Sequence, residues 1–89
     1  MVVILLENVR TGLRGELSRW LFEVKTGVFV GKVSGLVRDE LWDFVAERLG
    51  KGSAVMLFPM NTEQGFDVRT LGNPSKQLVD IEGLWLVKT

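Results

Sequence analysis

The chain begins on an unbroken apolar run, Met1 to Leu6, rich in β-branched residues. A run without polar alternation suits a strand buried on both faces, in the middle of a sheet. Beyond Asn8, the apolar positions Leu13, Leu17, Leu21 and Val24 recur at roughly helical spacing, with Trp20 and Phe22 beside them. This spacing predicts a helix from about Gly12 to Val24, closed at Thr26-Gly27. Val28, Phe29, Val30 and Val33 predict a short second strand. Ser34 is placed as an N-cap, and Leu36, Val37, Leu41, Trp42, Phe44, Val45 and Leu49 carry an amphipathic helix to a stop at Gly50-Lys51-Gly52. Asp39 and Glu40 are expected in its first turn, where the helix dipole favours negative charge. Ser53 to Met60 read as another buried strand. Phe66, Val68 and Thr70 alternate with Asp67 and Arg69 as a half-exposed one, and Asn61 to Gly65 form the hairpin connection between them.

The resulting order is β-α-β-α-β-β, with a connector at Gly72-Asn73-Pro74-Ser75-Lys76 and one more strand after it. In that tail, Leu78 to Val87, apolar Val79, Ile81, Leu84 and Leu86 alternate with Asp80 and Glu82. It is more than a small open sheet needs, so it is expected to pair with its own sheet or with another chain's edge, and the protein is expected to be an oligomer. A ferredoxin-like fold requires a hairpin between the two helices. Residues 26 to 35 are barely long enough for one, with Gly27, Gly31 and Gly35 as its turn positions.

Composition narrows the chemistry more than the fold. Eighty-nine residues, 46% apolar and 25% charged with only two prolines, are enough for one compact domain and no second core. The apolar runs fall far short of the ~20 residues of a membrane-spanning helix. The start has neither a basic region nor a small-residue cleavage site, so no signal peptide and a cytoplasmic location are expected. The chain contains no cysteine, histidine or tyrosine. That excludes disulfides, thiol nucleophiles and histidine-based triads, and leaves acid–base or metal chemistry to seven Glu and four Asp. Any metal would be a hard cation such as Mg²⁺ on carboxylate oxygens.

The formal net charge is zero, yet it is unevenly spread: residues 1–38 carry six basic and three acidic side chains, the remainder five and eight. By itself such a split describes solvated faces of opposite sign. Glu7 stands at the carboxyl end of the first strand, where open α/β sheets place ligands, but a single carboxylate makes a metal site only if a dimer axis brings its twin nearby. Otherwise it is a solvated turn carboxylate. Trp20 and Trp42, beside helical apolar stripes, are expected as core or interface anchors rather than as stacking platforms for bases.

The order of particular residues is more specific. Glu7-Asn8-Val9, Leu13-Arg14-Gly15, Trp20-Leu21, Gly27-Val28-Phe29-Val30-Gly31, Asn61-Thr62-Glu63 with Gly65-Phe66, and Val79-Asp80 with Gly83-Leu84 and Leu86-Val87 together resemble the CRISPR-associated "Cas-two" family in its type I-E branch. The resemblance spans nearly the whole chain. It implies an α+β, ferredoxin-like sandwich of a mainly antiparallel sheet and two helices, with residues 1–76 as the domain and 77–89 as a C-terminal strand extension for inter-subunit pairing. It also implies a homodimer that bridges two dimers of the larger CRISPR integrase subunit and supports a protospacer DNA duplex. Arg14 and Lys76 fall where type I-E relatives carry DNA-contacting basic residues, and Arg10 and Arg38 join them by charge and placement. Gly12, Leu36 and Ser75 stand where better-known relatives have basic side chains. The family's usual metal ligand is an aspartate ending the first strand, and here that position is Glu7.

Three functions follow for comparison. The first is a non-catalytic, DNA-bridging subunit whose Arg and Lys side chains contact phosphates and whose work requires no cofactor. The second is an Mg²⁺-dependent endonuclease using Glu7 from both protomers. The third is an RNA-binding or ligand-sensing module that has only the fold in its favour. The residues favour the first.

Overall fold

A computed structural model describes residues 1–72 in full and the backbone of residues 77–81 and 84–88. The elements run β1 (Val2–Glu7), α1 (Thr11–Leu17), β2 (Phe22–Lys25), β3 (Val28–Gly31), α2 (Gly35–Arg48), β4 (Ser53–Pro59), β5 (Phe66–Leu71), β6 (Gln77–Ile81) and β7 (Leu84–Lys88). The first five strands form one antiparallel sheet in the order β2-β3-β1-β4-β5. With two helices on one side, this is an α+β ferredoxin-like arrangement whose sheet gains β5 beyond β4. As its unbroken apolar sequence requires, β1 lies at the centre, between β3 and β4.

Several expectations about local structure are corrected. The first helix stops at Leu17 instead of continuing to Val24, and Phe22 to Lys25 form β2 instead. Aromatic Phe22 and β-branched Val24 suit a strand, and Phe22 to Lys25 are taken up by pairing with β3. The inter-helix hairpin is therefore longer than residues 26–35 allow, because it takes its first strand from the end of the expected helix. Its turn places Gly27 at φ 80°, and a Cβ there would stand 2.5 Å from the Leu6 carbonyl oxygen. The tail is likewise two strands rather than one: β6 and β7 pair antiparallel in a sheet of their own, from Gln77 opposite Lys88 to Ile81 opposite Leu84.

The second helix begins as expected, with the Ser34 hydroxyl accepting from the Val37 amide at 3.2 Å. Asp39 and Glu40, however, lie beyond its first turn, which contains no acidic residue. The connection after β4 closes as a hairpin, with the Met60 amide donating to the Gly65 carbonyl at 3.1 Å and Gly65 at φ 82°.

The core lies between the sheet and the helices. Ile4 of β1, Leu17 of α1, Phe29 of β3, Val45 of α2 and Met56 of β4 are fully buried in it. Trp42 is buried there too, whereas Trp20 is 57% exposed and belongs to the surface. The register places Val3, Leu5, Val28, Val30, Leu57 and Val68 together on the opposite, helix-free face. Antiparallel sheets with one solvated face usually make it polar; this one is apolar.

Candidate nucleic-acid interface

The end of β1 organises a group of charged side chains. Glu7 is its last residue, and Asn8 turns the chain at φ 55° into Arg10, which flanks the start of α1. The β2–β3 turn is drawn to the same place, since the Leu6 amide donates to the Gly27 carbonyl at 2.7 Å. So is the loop before β4: Ser53 lies opposite Glu7, and a Cβ on Gly52 would meet the Glu7 and Asn8 carbonyl oxygens at 2.6 and 2.7 Å. The close approach that glycine permits at residue 52 gathers three loops at one end of the sheet. They carry exposed Arg10, Lys25 and Lys51, none in an ion pair among the described residues.

Arg14 belongs to this end but is already engaged. Its Nε donates to Glu23 Oε2 at 2.8 Å, and the Gly27 amide donates to the same oxygen at 2.8 Å. The Arg14 guanidinium and then the Gly27 amide hold the Glu23 carboxyl below its usual range. This bond uses one of five guanidinium N–H groups, so the terminal nitrogens of Arg14 retain donors for another acceptor.

Arg38 is placed elsewhere. It lies near Phe58, at the end of the sheet where β1 begins, five residue steps or about 17 Å along the strand from Glu7. Its Nε donates to Asp39 Oδ1 at 3.1 Å, and its guanidinium stacks 4.2 Å from the Phe58 ring centre. Arg69 donates to the same Asp39 oxygen at 2.8 Å and approaches the same ring at 4.8 Å. Arg38 first, then Arg69, pulls the Asp39 carboxyl below its usual range. This cluster ties α2 to β4 and β5. Sequence reasoning assigned no such role to Arg69, because it depends on β5 pairing with β4 beneath α2. Lys76, the remaining predicted contact, lies outside the described residues. Lys25 and Lys51 were missed, although each borders a glycine turn that signals an exposed loop.

Residues 1–86 match a family model described as CRISPR-associated protein (Cas_Cas2CT1978). The chain belongs to this CRISPR-associated family. For a CRISPR-associated protein of this fold, Glu7 is the carboxylate to test as a metal ligand. It is exposed, and the Ser53 hydroxyl donates to its Oε1 at 3.5 Å. Among the described residues, no three acidic side chains come together as metal ligands would. No described helix of this CRISPR-associated chain is long and apolar enough to cross a membrane.

Proposed function

We propose that the chain is a structural subunit of the spacer-acquisition machinery in a type I-E CRISPR system. In this reading it forms a homodimer, bridges dimers of the larger integrase subunit, and supports protospacer duplex DNA through phosphate contacts. Family membership places the chain in CRISPR biology. The observation that carries the DNA role is the gathering of Arg10, Arg14, Lys25 and Lys51 at one end of the sheet. Flexible cations on glycine-bordered loops suit phosphates, which fix the position of a duplex without reporting its sequence. The apolar helix-free face of the sheet is the surface for a second copy. The work assigned to the chain is support and requires no metal.

Duplex binding by the assembled complex tests this directly. Replacing Arg10, Lys25 and Lys51 by Ala should weaken binding equally on two unrelated sequences, and each lost contact should flatten the log-affinity against log-salt plot by up to about 0.9. Arg14→Ala and Lys76→Ala, made together, should act in the same direction. Arg38→Ala should leave the slope unchanged, since its guanidinium is committed to Asp39 and Phe58. A wild-type slope in the triple variant would remove this end of the sheet from the DNA path, and a loss on one sequence only would mean base readout.

An Mg²⁺-dependent endonuclease using Glu7 from both protomers makes the opposite forecast for that carboxylate. Glu7→Gln should leave spacer integration by the reconstituted complex largely intact. A loss approaching that of an integrase active-site variant would support the catalytic alternative.

A further inference from the structure

The two helices leave a groove of about 180 Å³ between them, which shares Glu16 and Phe44 with a neighbouring cavity that Arg10 and Arg48 also line. Buried Leu17 and Leu41 form its floor, with Val37 and Phe44 beside them and exposed Trp20 on one side. A void of about 150 Å³ is enough to take a benzene-sized group, so this one admits a single large side chain. Among the described residues, its charged lining groups are Glu16 and Glu40. Glu16 has a solvent-exposed contact with Arg19 at 3.5 Å, worth little, and Glu40 has no ion pair among the described residues. Phe44 is held in place by Arg48, whose guanidinium stacks 4.1 Å from its ring centre.

We infer that this groove docks a polypeptide segment of a partner protein, one that inserts an arginine or lysine beside an apolar residue. A long basic side chain has an apolar stem that fits Leu17, Val37 and Leu41, and a cationic head suited to the two carboxylates. Trp20 adds a ring face for that cation. The same carboxylates disfavour a phosphate within the groove itself. The inference does not depend on the chain binding DNA.

A random peptide library displayed on phage, selected on the full-length chain, provides the test. Enriched sequences should pair Arg or Lys with an adjacent Leu, Ile or Phe. A synthetic peptide of the enriched sequence should shift the amide resonances of residues 16–20 and 37–44. Its affinity should fall about tenfold in Glu16→Gln/Glu40→Gln, which keeps side-chain shape while removing charge, and similarly in Trp20→Ala. All three positions are exposed, and an unchanged circular dichroism spectrum confirms that each variant folds. No enrichment, acidic or purely apolar winners, shifts confined to other residues, or undiminished binding by both variants would each overturn the proposal. So would a loss of self-association in Trp20→Ala, which would make a second copy of this chain the occupant.

Discussion

If the chain pairs as proposed, Leu5→Asp should convert the homodimer to a folded monomer. Leu5 sits near the centre of the helix-free face of the sheet, opposite Val28 on one side and Val55 on the other. In a monomer an aspartate there faces water, and the core on the other side, built on Ile4, Phe29 and Met56, is untouched. In a dimer stacked through this face, the same carboxylate would be buried without a partner, at a cost of several kcal/mol. A loss of about 3 kcal/mol weakens association more than a hundredfold. Sedimentation velocity over a range of concentrations measures this, with circular dichroism to confirm folding. A variant that remains dimeric would move the interface to another surface.

The second large effect concerns the tail. Deleting residues 78–89 should abolish assembly with the larger integrase subunit while leaving the five-stranded sheet folded. That sheet is complete without the tail, because β6 and β7 pair only with each other. A two-stranded hairpin is marginal on its own in water, and both its outer edges offer unpaired backbone groups to another chain. A strand added at such an edge gives affinity through main-chain hydrogen bonds. The truncated chain should show wild-type helix and strand content but fail to co-purify with the integrase subunit. Undiminished co-purification would show that the hairpin has no part in assembly.

Why some of this structure was readable from sequence and some not can be traced to particular residues. The central strand β1 and the cap at Ser34 were legible because each depends on local sequence: an apolar run in one case, a hydroxyl three residues before an amide in the other. The end of α1 was not. Leu13, Leu17 and Leu21 satisfy a helical period, and Leu21 does turn back so that its amide donates to the Leu17 carbonyl at 2.9 Å, but the next four residues are claimed by pairing with β3. Tertiary pairing overrode periodicity. The division of the tail into two strands did leave a mark in the sequence, since its apolar positions change phase at Glu82-Gly83, from Val79 and Ile81 to Leu84 and Leu86.

The site followed the same rule. Residue type pointed to Arg10, Arg14 and Arg38 as one basic group, but the fold places the first two at one end of β1 and the third at the other. Lys25 and Lys51 join Arg10 only because the β2–β3 turn and the loop at Gly52 converge on the end of β1. No spacing along the chain encodes that convergence. The ion pair of Arg14 with Glu23 is equally hidden, because the helical period runs through Glu23 while α1 ends six residues earlier.

Bridging of integrase dimers around a duplex by this chain can be read from the mass of the assembly. The chain, the larger integrase subunit and a protospacer-length duplex should be mixed and their complex weighed by sedimentation equilibrium or native mass spectrometry. The expected species holds two copies of this chain with two dimers of the integrase subunit and one duplex, and it should be missing when this chain is left out. An integrase subunit that forms the same complex without it, or a complex holding a single copy, would contradict the account.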